Sequence, residues 1–520
     1  MAVAFPMATI AGRLPGTNFQ VCLAKLQNGT FGVGMDVGGT DNQGNPVDVA
    51  NATGITYSLC LQACGERQEP FEFTIFSQQF SAFLLPWLAL VSQLPFGSND
   101  MLVNLDSVLT TVGSPTLAAY SLILTVLNNR WVTRQFTQYT FPNVRDAVRI
   151  LTSLQQSPIR VVKDDGFLAS LIVLSQNDKW WSQLAEEIDY SHNWSISAAT
   201  SIAWVVIAYV FSVLDTFIAG VDTSIHSNGL GVGSLWLWLL PIVVGWLQFS
   251  PKCDAALLKK AVAHANDLAY LATDDGKSVL LKDKTDIRAI DLTLTDVDDL
   301  HRDEKCTSPV FNYARFFPMF LASGLALMLQ WGTAGAAFVQ AWYTPTRGLG
   351  CRSLAVLIYA VLSTTVWMML VTSSILTHYA SNPQHRSEGH VIHEGEARDE
   401  EGQALLEDKA IRHRSTARWI SIMLRRLGKL IAGFNAVWAV TACFCQFGNV
   451  FDNCFCNSSV FSLGKHAYSV ITLQDLDFWI IQSAWIGSVF LAGATAAIYV
   501  LFANFLIEPP LPEIVPVATE

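Results

Sequence analysis

Apolar residues run through this chain in blocks close to the length of a bilayer-spanning helix, which takes about 20 residues. Six blocks meet that length: 198–219, 229–250, 317–342, 352–376, 428–446 and 478–506. A seventh, 75–96 (IFSQQFSAFLLPWLALVSQLPF), is long enough although it carries Gln78, Gln79 and two prolines. In an eighth, 109–127 (LTTVGSPTLAAYSLILTVL), the strongly apolar part is only about fifteen residues, which suits an interfacial or re-entrant helix as well as a span. The pattern predicts an all-α fold, a polytopic bundle of seven spans, or eight if 109–127 crosses. Outside these blocks, 143–155 and 253–273 repeat apolar residues at helical spacing and read as amphipathic helices that dock under the bundle or recruit a partner.

Composition agrees with the membrane reading. Charged residues make up 14% of the 520, against about 25% in soluble proteins. The net charge of −11 and the lack of a basic face speak against nucleic acid as a partner.

Charge sets sidedness. The segments 129–196, 251–315 and 377–429 hold 26 of the 32 Lys and Arg. Arg130, Arg134, Lys252, Arg315, Arg418, Arg425, Arg426 and Lys429 lie close to span ends, where basic residues mark the cytosolic side. The expected order is an outward, loop-rich ectodomain at 1–74, then the first span with the marginal helix at 75–128. A cytosolic segment (129–196), a span pair (197–250) and a second cytosolic segment (251–315) follow. Next come a hairpin of spans (316–376), a charged loop (377–427), a span pair around the outward loop 447–477 (428–506) and a tail at 507–520. The opening stretch MAVAFPMATIAGRLPG lacks the basic and long apolar parts of a signal peptide.

The outward side then carries Cys22, Cys60, Cys64, Cys351, Cys454 and Cys456. Six can pair completely. Whether they pair locally or tie the ectodomain to the 447–477 loop is not readable from spacing. Cys454 and Cys456 stand too close to bridge each other and have no His nearby, so each is expected in a separate structural disulfide. Asn28, Asn51 and Asn457 open glycosylation acceptor patterns on this side, whereas Asn193 opens one on the cytosolic side.

Candidate chemistry is sparse. Asp215 is the one acidic residue well inside a clear span, and Arg347 and Arg352 start on the same side as candidate partners. Gln330, Gln340, Asn435 and Gln482 are neutral. No phosphate loop, zinc helix or nucleophile elbow occurs, and no catalytic, cofactor or metal set is assigned. His390, His393 and Glu394 lie in an acidic stretch that reads as solvated linker. Small residues at 332–337 (GTAGAA), at Gly487, Gly493 and Ala497, and at Gly229 and Gly233 suit close helix packing within the bundle or a homo-oligomer contact. The basic run 412–429 attracts anionic lipid, and Cys253 is a candidate for lipidation.

The strings SQQF and LLPWLALVSQLPF (77–96), SLWLWLLPIVVGWLQ (234–248), and LQWGTAGAAFV with YTPTRGLGCRS (329–353) resemble a family of multi-pass membrane proteins of filamentous fungi to which no activity is assigned. The resemblance implies a fungal integral membrane protein and brings no activity with it. The functional expectation is a non-enzymatic sensor or scaffold with cytosolic partner-binding segments, in the plasma membrane or a secretory-pathway membrane. A transporter or channel is the alternative, and a membrane-embedded enzyme the third reading.

Overall fold

The computed structural model describes residues 17–94, 101–139, 141, 143–153, 167–188, 195–218, 229–249, 255–272, 278–280, 313–344, 346–381 and 400–507. The chain opens with α1 (Phe19–Gln27), β1 (Gly39–Thr40), β2 (Gly54–Thr56) and α2 (Tyr57–Cys64). Helix α3 (Phe73–Val91) is the first of seven helices long and apolar enough to cross a membrane. Helices α4 (Met101–Gly113) and α5 (Pro115–Phe136) follow, then α6 (Val144–Ser153), α7 (Phe167–Val173) and α8 (Asp178–Ile188). The second long helix is α9 (Ile196–Ile218), and the third is broken into α10 (Gly229–Trp236) and α11 (Leu239–Phe249). After α12 (Ala255–Ala265) and the hairpin β3 (Tyr270–Ala272) and β4 (Ser278–Leu280) come α13 (Tyr313–Trp342), α14 (Cys351–Ser381) and α15 (Glu400–Phe447). Short helices α16 (Cys454–Asn457) and α17 (Val460–Leu463) and strand β5 (Tyr468–Val470) precede the last long helix, α18 (Asp475–Leu506).

The marginal 109–127 stretch resolves into two helices whose axes bend by 104°. Gly113 ends one. Ser114 caps the next, its hydroxyl accepting from the Leu117 N–H, and Pro115 takes the first turn, where its missing N–H costs nothing. Residues near the start of α4 lie far from the Phe447 end of α15: Asp106 pairs with Lys429 at 2.7 Å, about 27 Å down α15 at 1.5 Å per residue. The bend lies halfway, because Asn435 meets Gly113 about 18 Å below Phe447. Helix α5 then descends again. Its Ala119 carbonyl accepts from the Tyr499 hydroxyl at 2.8 Å, some 36 Å along α18 from Asp475. The pair has the course of a re-entrant hairpin, which leaves the seven long apolar helices as the candidate spans.

Local sequence explains the other irregularities. Pro86 cannot donate to the preceding turn, and α3 widens into a π turn over Phe80–Leu84 just before it. Gly113 carries no Cβ, which would lie 1.9 Å from the Ala432 carbonyl oxygen; only glycine lets α4 press on α15. The basic run at 412–429 belongs to one continuous helix, α15.

The two ends of the bundle differ. One carries a cap built from residues 17–69 and 446–474. Strand β2 pairs antiparallel with β1 on one side and with β5 on the other, Gly54 opposite Val470 and Thr56 opposite Tyr468. The ectodomain expected as mostly loops thus has helices and a sheet, and borrows its third strand from the 447–477 loop. The other end carries a basal unit that joins two segments read separately in the sequence. Val144, Val148, Leu171, Trp180, Trp181 and Leu184 from 143–188 share one core with Val262, Ala265 and Leu271.

Candidate functional site

The cap is the most heavily cross-linked part of the molecule. Cys22 bonds Cys64, Cys60 bonds Cys454, and Cys351 bonds Cys456. The second ties the N-terminal segment to the loop before α18, and the third ties the start of α14 to the same loop. Beneath them Arg352 forms an ion pair with Asp452 and donates to the Asn457 side-chain oxygen at 2.9 Å. Arg352 is 3% exposed and Asp452 1%, so breaking the pair from one side would strand a buried charge. Asp477, in the first turn of α18, accepts from the Asn42 amide and from the Gln474 N–H, fixing the cap to the last long helix. The loop at Asp41 is locally tight. Burial nudges the Asp41 carboxyl up, but donors from Asn45, Gln43 and Gly44 outweigh it and hold the group below its ordinary value. Gly44, at φ +85°, leaves room for the Tyr468 ring, which a Cβ would meet at 2.5 Å.

The sequence-derived candidates fall out as follows. All six cysteines expected on the outward side are paired, and both the local and the cross-segment kinds of bond occur. Asn28 and Asn51 are exposed on the cap. Asn457 is not presented: it is 3% exposed and spends its side chain on Arg352. The suggested pairing of Asp215 with Arg352 is corrected, because Arg352 is taken by Asp452, a loop residue closer to it than any span acid. Arg347 lies over the Tyr343 ring at 5.7 Å, and Asp215 is exposed near the end of α9. Cys253, Asn193, His390, His393 and Glu394 lie outside the described residues.

Below the cap the described interior holds no buried charged side chain. Among the described residues the buried charged side chains are Asp452 of the cap and Arg352 and Asp477, which meet it from the ends of α14 and α18. Neutral groups replace them at two levels. In the upper half, Gln340 on α13 donates to Ser234 on α10 at 3.2 Å and to Ser488 on α18 at 2.7 Å. The Tyr209 hydroxyl of α9 joins Ser234 at 3.2 Å. At mid-depth, Asn435 donates to the carbonyls of Gly113 (2.7 Å) and Tyr359 (3.1 Å). The Tyr359 hydroxyl donates to Val112 (2.9 Å), and Ser114 donates to the Ser363 carbonyl (2.9 Å). These side chains satisfy the non-helical backbone at the hairpin tip, which lipid could not. The Gly113-Ser-Pro break is a helix stop followed by a helix start, and that signal could have placed the tip from sequence. Both amide atoms of Gln330, together with Gln340 Oε1 and Asn435 Oδ1, are buried without a protein partner.

Of the small-residue positions, Gly332 faces Thr495 and Gly229 faces Gln79 and Phe83 inside the bundle, while Gly335, Gly487 and Gly493 face open space. No family model matches the chain, and neither a curated protein nor a solved structure does.

Proposed function

We propose that this chain is a non-enzymatic membrane sensor or scaffold, with its cap outside the cell or in a secretory lumen and its basal unit in the cytosol. The observation that carries the reading is the course of α5. It begins at the buried hairpin tip, packs through the centre of the bundle, and ends with Val132 and Phe136 against the basal core. A shift at the tip is therefore delivered by one continuous helix to the unit that would meet a partner. Among the described residues no buried carboxylate, Lys, Arg or His lies below the cap, which suits a protein without an acid–base centre there. Glycans on the exposed Asn28 and Asn51, and a fungal source, belong to the same proposal.

Proximity labelling from the C-terminal tail tests it. The exposed residues Asp178, Ser182 and Glu186 lie along one face of α8. Reversing charge there (Asp178→Lys with Glu186→Lys) is expected to remove specific proteins from the labelled set while the chain still reaches its membrane. A labelled set indifferent to that face would defeat the scaffold reading. The second reading, passage of a small uncharged polar solute, is favoured by the re-entrant hairpin and by buried polar atoms left without a protein partner, both amide atoms of Gln330 and the Gln340 Oε1. Flux of glycerol or urea into vesicles holding the purified chain, abolished by Gln340→Leu, would establish it instead.

A further inference from the structure

Four cysteines of the cap stand at one place. Cys60 and Cys64 lie one turn apart on α2, and their sulfurs and that of Cys454 are all within 4.8 Å of one another. Two disulfides are thus within reach of exchange, and they differ in access. Cys64 is part exposed, whereas Cys60 is 0% and Cys454 1% exposed. An external thiol meets Cys22–Cys64 and cannot meet Cys60–Cys454. The deeper bond can be reached only from inside the cap, and Cys64 is the inside group placed to do so.

We propose that the cap is a thiol–disulfide relay in which Cys64 carries reduction from the surface to the buried cross-link between the ectodomain and the loop before α18. Two equivalents of a small external thiol first reduce Cys22–Cys64. They leave as their own disulfide, and Cys22 and Cys64 each gain a proton. The Cys64 thiolate then attacks Cys60 Sγ. The Cys60–Cys64 bond forms as Cys60–Cys454 breaks, the electron pair moves to Cys454 Sγ, and Cys454 takes the proton that Cys64 gave up. Thiolate attack on a nearby disulfide is the ordinary route of exchange. Cys64 is the last residue of α2 and is followed by Gly65 at φ +77°, so it can turn inward. Cys60 and Cys64 at i, i+4 are close enough to bridge with a small adjustment. The product leaves the ectodomain held to the loop without a covalent tie, by the β2–β5 pairing, the cap core and hydrogen bonds such as Tyr57 N–H to the Ala467 carbonyl.

The test uses the full chain in detergent, exposed to graded glutathione, quenched in acid, alkylated and mapped by mass spectrometry. The expected result is a Cys60–Cys64 disulfide appearing together with alkylated Cys22 and Cys454. Alkylated Cys22 and Cys64 with Cys60–Cys454 intact would overturn the relay, and so would a Cys64–Cys454 bond with Cys60 alkylated, because the tie would then persist. In Cys64→Ser, Cys454 is expected to stay unalkylated at thiol concentrations that release it in the wild type. Release of Cys454 at an unchanged rate in that variant would mean that reduction reaches the buried bond directly, and the relay would fall.

Discussion

The cap and the basal unit stand at opposite ends of one bundle, and they are held together by different means. The cap core is narrow: Phe19, Leu23, Leu26, Val49, Ile55 and Leu59 around Cys60 and Cys454. Two- and three-residue strands add little, and covalent bonds supply what packing does not. The basal unit has no disulfide among its described residues. It stands on Trp180 and Trp181, whose rings meet edge to face at 4.6 Å and are 2% and 1% exposed. Its polar groups are matched internally: Trp181 donates to the Leu171 carbonyl at 2.9 Å, and Asn177 bonds Ser170 and Tyr270 on both sides. The difference fits the proposed sidedness, since disulfides persist where the surroundings are oxidising. A unit built without them has to bury more apolar surface.

The largest expected effect is on the basal side. Trp181→Ala removes a fully buried ring and its hydrogen bond, a loss of about 3–5 kcal/mol. Hydrogen exchange over 167–188 and 255–272 should rise steeply while residues 19–64 keep their protection. If the cap loosens too, the two ends are one cooperative body and the contrast between them is lost. The reciprocal change, Cys60→Ser with Cys454→Ser, should loosen the cap and leave the basal unit as it was. These cysteines are 394 residues apart, yet the cost should be nearer about 2 kcal/mol than the larger value that such a loop would give in a free chain. The bundle already brings the two segments together, so the cross-link removes less freedom. Protection in 19–64 under reducing and oxidising conditions measures it.

Between the ends lies a site that uses neither device. Asn435 is fully buried and holds the hairpin tip by hydrogen bonds alone. Asn435→Leu should cost about 1–3 kcal/mol by leaving the Gly113 carbonyl unpaired. It should lower the melting temperature of the detergent-solubilised chain without freeing any cysteine. An unchanged melting temperature would mean that water or a neighbour replaces the amide.

How far the sequence foretold these regions follows from the range of the contacts that make them. The long helices were legible because hydropathy is local: the blocks at 198–219 and 478–506 match Ile196–Ile218 and Asp475–Leu506 within a few residues. The even count of outward cysteines was legible for the same reason. The pairing of Cys60 with Cys454 was not, because nothing near either residue names the other. Nor was the union of 143–188 with 255–272, since 143–155 and 253–273 each read alone as an amphipathic helix. The ion pair shows the same limit. Arg352 was matched to Asp215 by side of the membrane alone, and a loop acid that no span pattern marks, Asp452, holds it. Gly113-Ser-Pro is the exception, a local signal for a long-range feature.

The smallest effect expected is electrostatic, and it bears on the basal unit only. Burial raises the Glu187 carboxyl, but hydrogen bonds from Gln183 and His264 and the charges of His264 and Lys260 outweigh this and hold it below its ordinary value. A group whose pKa is depressed by folding adds stability above its unfolded value, 4.5, and that increment fades as pH falls through the folded value. Glu187 and His264 are both on the surface, so the increment is a fraction of what a buried pair would give. Glu187→Gln should therefore lower the stability of the basal unit slightly at pH 7 and by less at pH 3, read as hydrogen exchange over 178–188 at the two pH values. The cap, whose own depressed carboxylate is Asp41, should not respond to this substitution at either pH. A response there would tie the ends together by a route other than α5. A basal unit equally sensitive at pH 3 and pH 7 would show that Glu187 acts through its packing and not its charge.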